Sequence, residues 1–495
     1  MAESIEQKDP TVSDLTTDVI KKRAVRGAAI LTGRNIFIQT VTFFSVALLT
    51  FFLEPSEYGV FFLVSAVINF LAYFGDIGFA AALIQRRQDL TQTDLRTVFT
   101  LQQVLVLFLL FIVVISSPLI KNFYNLGEEA IYLLWALAFS LLLSSLKTIP
   151  TVLMERKLEF NKWVIPQLLE TLVFNIVAVY LAWRGFGVTS FTIAVLIRGI
   201  SGLAVTYIIQ PWLPAFSFSP TSLKSILSFG IPYQANTLLA MVKDDGMTLF
   251  LGGILGSQGV GLLGWAQKWA YSPLRFFMDQ VIKVTFPAFS RIQDQKQELS
   301  NAVSKSIFFV TLLTFPSLVM LNLLAPTLVE IIPKYIKWSP ALTALLMLSV
   351  TSALAAITTP LTNTLNAIGK ISITFKLMIM WTALTWFFVP FLSLVYGLNG
   401  AAFGFTIVGL TSIIALIVIS KYITIDYIQS VGKPIIATIV MGIAVFLVRA
   451  LTEISTLQVI LMIVTSLFSY TISIVILEPN IFLILKKLLV RKKYD

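Results

Sequence analysis

The sequence predicts an all-α polytopic membrane protein of about fourteen transmembrane helices. Three observations carry the prediction: fourteen apolar segments, connections that alternate between basic and charge-poor, and a composition that is 57% hydrophobic and 12% charged. A soluble domain carries about twice that share of charge. A helix needs about 20 apolar residues to cross roughly 30 Å of hydrocarbon. The segments, most near that length, are Ala28–Leu53, Gly59–Ala82, Val98–Ile120, Ala130–Ile149, Trp163–Trp183, Gly187–Gln210, Ile226–Leu255, Gly259–Phe286, Ile307–Ile331, Pro340–Leu361, Ile373–Val395, Ala401–Ile419, Pro434–Val448 and Leu457–Leu477.

With the N-terminus placed in the cytoplasm, 25 of the 36 Lys and Arg residues fall on the inner side. Only Lys121, Arg184, Lys334, Lys337 and Arg449 fall outside, and the other six lie within segments. This bias obeys the positive-inside rule along the whole chain and predicts an inner-membrane protein with both termini in the cytoplasm. The same rule accounts for the net charge of +11, so no nucleic-acid partner is expected. Lys486, Lys487, Arg491, Lys492 and Lys493 are expected against anionic lipid headgroups. The first 28 residues are polar and hold Lys21, Lys22, Arg23 and Arg26, the wrong pattern for a cleaved signal peptide. Cysteine and histidine are absent. That removes disulfides, the usual general base and the commonest metal ligand, so neither metal nor cofactor is expected.

The connections are short, which leaves no room for an outer domain. The expected organisation is a tail at 1–27, helices 1–6 in 28–210, an inter-lobe linker at 211–225, helices 7–12 in 226–419, two additional helices in 420–477 and a basic tail at 478–495. Pro211, Pro214 and Pro220 break the linker. Similar phrases close the first outer hairpin of each lobe, Glu57-Tyr58-Gly59 and Gly259-Val260-Gly261. Trp163, Trp183, Trp212 and Trp338 fall near segment ends, where an interfacial belt is expected. Gly252-Gly253-Ile254-Leu255-Gly256 reads as close packing or a bend, because no Lys-Ser follows to make a phosphate loop.

Six phrases in order carry a family likeness. They are Leu53-Glu54-Pro55-Ser56-Glu57-Tyr58-Gly59, Asp76-Ile77-Gly78-Phe79-Ala80-Ala81-Ala82-Leu83-Ile84-Gln85-Arg86, Leu153-Met154-Glu155-Arg156-Lys157-Leu158-Glu159-Phe160, Phe229-Gly230-Ile231-Pro232, Leu251-Gly252-Gly253-Ile254-Leu255-Gly256 and Phe286-Pro287-Ala288-Phe289-Ser290-Arg291. From Gly27 to Ile419 the chain resembles the polysaccharide flippases of the multidrug/oligosaccharidyl-lipid/polysaccharide exporter superfamily, in the O-antigen and exopolysaccharide branch. The resemblance implies a V-shaped pair of helical lobes working by alternating access. The implied cargo is an oligosaccharide on undecaprenyl pyrophosphate, turned from the cytoplasmic to the periplasmic leaflet. Polysaccharide polymerase and export machinery are the implied partners.

Intramembrane charges are expensive and normally face a cavity or a partner. On the eighth segment Lys268, Arg275, Asp279 and Lys283 fall within about 80° of one another at 100° per residue, while Leu274, Phe276, Phe277 and Val281 form an apolar back. Such a stripe suits an anionic pyrophosphate, whose oxygens match an Arg fork. The alternative is an ion-paired network, with Asp279 neutralising Arg275. Lys283 and Arg34 lie near the inner end, where they line the cavity or snorkel. Lys243, Asp244 and Asp245 stand together on the seventh segment, with Gln234 and Asn236 nearby. One carboxylate is expected to pair with Lys243, and the other is the candidate to take a proton or help hold Na⁺. Asp244, Asp245 and Asp279 are therefore the ion-coupling candidates. Glu170 and Arg198 are expected to pair structurally across neighbouring helices. Asp76 is a helix-packing or gating position, and Asn69, Gln39, Thr40 and Thr42 are minor polar candidates.

Three other functions compete. A membrane glycosyltransferase or polymerase needs a carboxylate at the water interface and a substantial outer loop, which this chain lacks. A drug antiporter of the same superfamily suits an acidic or aromatic cavity, whereas here six intramembrane cations face five carboxylates. A peptidoglycan-precursor flippase is a close cousin of the preferred reading. No nucleotide-binding motif is present, so the work is expected to come from an ion gradient, the membrane potential or consumption of cargo downstream.

Overall fold

The computed structural model describes residues 17–86 and 90–479, without the side chains of 17–22, 24, 25, 28, 225 and 228–237. Gln234, Asn236 and the basic C-terminal residues 486–493 lie outside that description. Among the described residues the secondary structure is helical throughout, with no strand. The helices are α1 (Thr17–Phe52), α2 (Pro55–Gly75), α3 (Phe79–Gln85), α4 (Gln92–Tyr124), α5 (Glu128–Leu146), α6 (Thr148–Arg156), α7 (Phe160–Trp183), α8 (Thr189–Ile209), α9 (Pro220–Arg291), α10 (Lys296–Ile331), α11 (Leu342–Ala367), α12 (Ile371–Leu410), α13 (Ile413–Ile419), α14 (Lys433–Leu451) and α15 (Thr456–Leu477).

Twelve described stretches are long and apolar enough to cross a membrane. Two of them, Leu238–Arg291 and Ile371–Ile419, run 54 and 49 residues, about twice a crossing. Each is interrupted by a glycine in the left-handed region, Gly256 at φ +65° and Gly397 at φ +58°. Each long stretch is thus long enough for two crossings, so the described residues can supply the fourteen expected. The chain is a multi-pass membrane protein.

Local sequence sets the helix starts. The Glu54 N–H donates to the Glu57 carboxylate at 2.7 Å, and Pro55 occupies the first turn of α2, where a missing N–H costs nothing. Thr91 and Asp94 cap α4 reciprocally, each side chain accepting the other's N–H at 3.1 Å. Pro220 opens α9, so the irregular part of the expected linker ends there rather than at residue 225.

By packing, the chain forms two compact units, Met1–Gly261 and Leu262–Asp495. In the first unit α7 packs along α1 and α8, α8 on α5, and α2 and α4 on each other and on α5. In the second, α10 packs on α11 and α14, α11 on α12, and α14 on α15. Met278, Phe289, Val303, Ile307, Val310, Leu361 and Leu365 form a core of the second unit.

The first half of α9 belongs to the first unit, whereas the connection lengths assign it to the second set of helices. Its contacts explain this. The Tyr124 hydroxyl donates to the Leu249 carbonyl at 3.1 Å. Gly252 lies under Leu63, and the backbones of Pro55–Gly59 and Ser257–Gly261 cross in direct contact. At the crossing a Cβ on Gly59 would collide with the Ser257 carbonyl, and one on Gly261 with the Pro55 carbonyl. The two phrases that look alike in sequence are therefore the two sides of one glycine-to-glycine contact.

Two tryptophans correct the interfacial-belt expectation. Trp338 is fully buried and stacks on Trp265, with ring centroids 5.3 Å apart. Trp212 is buried edge-on against Phe99 in a core with Phe79, Leu83 and Ile149. Their apolar area outweighs the preference of an indole for the interface. Trp183 does lie exposed at a helix end.

Candidate functional site

The first unit holds a cavity of about 390 Å³. Its walls are Asn69, Ala72, Tyr73 and Asp76 from the end of α2 and Ala240, Met241, Asp244 and Asp245 from α9. Residues 69, 73 and 76 recur at helical spacing, which puts them on one face of α2. The Asn69 amide donates to Asp245 Oδ1 at 3.3 Å, and Lys243 Nζ lies 3.5 Å from Asp244 Oδ1. The Asp244 side chain is 71% exposed, so its pairing with Lys243 is solvent-screened and weak. Asp76 Oδ1 accepts from the Phe79 N–H at 2.9 Å and so caps α3, whose first turn follows the left-handed Gly78.

Sequence reading named Asp76 apart from the Asp244–Asp245 pair. The structure adds that Asp76 shares a cavity with Asp244 and Asp245, and that Tyr73 belongs with them. The 69/73/76 spacing was the available signal; which helix it faces was not readable. Among the described residues no group of three or more His, Cys, Asp or Glu side chains has a metal-binding arrangement. The cavity can present hydrated, partly shielded carboxylates to a proton or a monovalent cation.

In the second unit, Lys268, Arg275, Asp279 and Lys283 are all exposed along the later half of α9. Leu274, Met278, Val281 and Ile282 of the same helix pack in the unit's core. Leu274 and Val281 lie behind the charged positions, whereas Met278 and Ile282 flank Arg275, so the exposed charges run along the edge of the core-packing surface. None of the four forms an ion pair among the described residues; the Arg275–Asp279 bridge considered from sequence is not made. Two turns of α9 separate Lys268 from Arg275 and Arg275 from Lys283, about 10 Å each along the axis.

Arg34 takes a third position. Its guanidinium carbon lies 5.5 Å from the centre of the Trp163 ring, on the packed α1–α7 seam. Cation–π contact with an indole holds the charge near the start of α7. The expected Glu170–Arg198 pair is present at 3.7 Å, but Glu170 is also bonded to Lys147, a partner the sequence did not point to.

An all-α multi-pass bundle with intramembrane charge concentrated in a carboxylate-lined cavity and a cationic helix face is the architecture of a membrane transporter. The match to a family model for polysaccharide biosynthesis proteins spans residues 48–342, more than half of the chain. The chain belongs to that family, which bears out the resemblance read from the six phrases. The chain is 25% identical over 400 residues to the teichuronic acid biosynthesis protein TuaB of Bacillus subtilis, covering 76% of this chain and 79% of that protein. It is 23% identical over 289 residues to the succinoglycan biosynthesis transport protein ExoT of Rhizobium meliloti, covering 57% of this chain and 58% of that one. In fold it is similar to an inward closed structure of the lipid II flippase MurJ, at a TM-score of 0.74 and 17% identity, covering 90% of this chain and all of the other.

Proposed function

We propose that the protein is a flippase for surface-polysaccharide repeat units. It moves an undecaprenyl-pyrophosphate-linked oligosaccharide from the cytoplasmic to the periplasmic leaflet of the bacterial inner membrane, with both of its own termini in the cytoplasm. The observation that carries this reading is the exposed Lys268–Arg275–Lys283 face. Three cations and one unbridged carboxylate within crossing helices are costly in hydrocarbon and call for water or an anionic partner. A pyrophosphate head supplies that partner, and Arg275 is the residue whose fork matches it in two contacts. Arg34, held by Trp163 near the inner end, is suited to meet the head first.

No covalent bond changes in this reaction, so the protein is not an enzyme. The cation face replaces the hydration that the head loses on entering the membrane, and alternating access of two lobes carries it across. Asp244, Asp245 and Asp279 are the groups to link the cycle to H⁺ or Na⁺. The cavity around Asp244 and Asp245 supports this assignment, because a carboxylate there can exchange Lys243 or Asn69 for a cation. Family membership and the names of the relatives support the polysaccharide setting.

The test is a deletion strain complemented with variants. Deletion should leave complete lipid-linked repeat units on the cytoplasmic leaflet and no surface polymer. Arg275→Ala and Lys268→Ala should fail to restore export while remaining inserted, and Arg275→Lys should restore it poorly. Incomplete units would move the protein into synthesis. Complete units on the outer leaflet, unpolymerised, would make it a polymerase.

A further inference from the structure

A second cationic position lies in the first unit, at the Lys147–Glu170–Arg198 cluster. Glu170 is buried, and its carboxylate is bonded by Lys147 through Oε1. Arg198 reaches the other oxygen, Oε2, only at 3.7 Å, beyond a normal hydrogen bond. The Arg198 side chain remains 49% exposed, against 10% for Glu170 and 19% for Lys147, and its guanidinium rests 5.8 Å from the centre of the Phe174 ring. Two cations on one carboxylate leave a formal charge of +1, and the exposed member carries it.

The cluster sits deep. Arg198 is nine residues from the first residue of α8 and eleven from the last, so it stands near the middle of that crossing. Glu170 is shared, so it cannot neutralise both cations. A Cβ at Gly202 would collide with the Glu170 carboxyl, so Gly202 supplies the space in which that carboxylate is seated. Lys147, at the α5–α6 junction, holds it from the other side. An exposed guanidinium in mid-membrane with an unmatched charge requires an anion or water beside it.

We propose that Arg198 is a further anion contact of this protein, one that takes a phosphate oxygen of the lipid-linked cargo partway through its passage, and that Lys147 is the positioning residue that holds Glu170 to one side and leaves Arg198 only loosely paired. The proposal rests on the flippase reading above. It adds to Arg34 a second contact in the first unit; the α9 face lies in the second.

The native lack of cysteine makes the test direct. Full-length R198C in nanodiscs should react with a membrane-impermeant cationic thiol reagent. Undecaprenyl pyrophosphate should slow that reaction, and phosphatidylglycerol at the same concentration should not. R198A should weaken undecaprenyl pyrophosphate binding roughly tenfold or more, the loss of one charge-assisted contact, and R198K should recover part of it. K147M should weaken binding as well, by releasing Glu170 onto Arg198, whereas E170Q should leave it equal or tighter. A purely structural cluster would make E170Q and K147M alike. An R198C that never reacts faces hydrocarbon or protein and overturns the proposal. Equal protection by phosphatidylglycerol overturns the cargo assignment. If R275A abolishes binding and R198A does not, this inference fails and the flippase reading stands. If the unaltered protein does not bind undecaprenyl pyrophosphate, the flippase reading fails and takes the inference with it.

Discussion

Replacing Gly59 with alanine tests the helix crossing that ties α9 to the first unit. The added methyl would collide with the Ser257 carbonyl and come within 2.9 Å of the Gly261 nitrogen. Both are backbone atoms, so no side chain can swing aside and the crossing itself must open. Overpacking of this kind costs about 1–3 kcal/mol, and a backbone obstacle belongs at the upper end. Against it stands the intrinsic helix gain of alanine over glycine, about 1 kcal/mol. The net expectation for Gly59→Ala, and equally for Gly261→Ala, is a loss of about 2 kcal/mol, a shift of roughly 2–4 °C in melting temperature. Gly252→Ala should cost less, because its methyl would meet the flexible end of Leu63 at 2.7 Å. Gly253→Ala meets only Phe123 at 3.5 Å, and Gly33→Ala meets nothing within 4 Å. Those two should be neutral or stabilising. Intrinsic tryptophan fluorescence in detergent, from nine tryptophans, reads the series. If Gly59→Ala and Gly253→Ala melt together, the backbone contact does not exist as described.

Two further expectations follow from the same structure. Single cysteines at Gln92, Asn161 and Gln295 should label only from the cytoplasmic side and one at Gly127 only from outside; outside labelling of Gln295→Cys in intact cells would refute the fourteen-crossing topology. Asp94 is 3% exposed and accepts from Ser222 at 2.6 Å while paired with Arg86 at 2.9 Å, so Asp94→Ala should destabilise the protein by about 3 kcal/mol, and an unchanged melting temperature would show that the network contributes nothing.

The crossings were legible because hydrocarbon imposes one simple rule, a length of apolar helix, and the chain obeys it segment by segment. The charged stripe on α9 was legible for a related reason: four charges on one helix face leave the other face to pack. Partners across helices were a different matter. Asp76 joins Asp244 and Asp245 only because α2 lies against the first half of α9, and no periodicity within a segment contains that. Lys147 drew no notice at the end of the fourth segment; from the α5–α6 junction its side chain reaches Glu170. Trp212 and Trp338 read as interfacial because position along the chain does not reveal which way an indole turns. The glycine phrases at 59 and 261 were visible as a similarity, and their contact was not.

The prolines of the stretch between α8 and α9 suggest a loose swivel, yet the stretch is tacked down. Trp212 is buried on Phe99, the Ser217 N–H donates to Thr100 at 3.0 Å, and Ser222 is bound to Asp94. Between these anchors Leu213 and Phe216 stand 86% and 77% exposed. A gene split between Pro214 and Ala215 should therefore yield two polypeptides that find each other in the membrane and restore export together, since each side of the nick is docked on the same core. The protein is in that sense a natural candidate for fragment complementation, with the cut placed where the chain is tethered most closely on both sides.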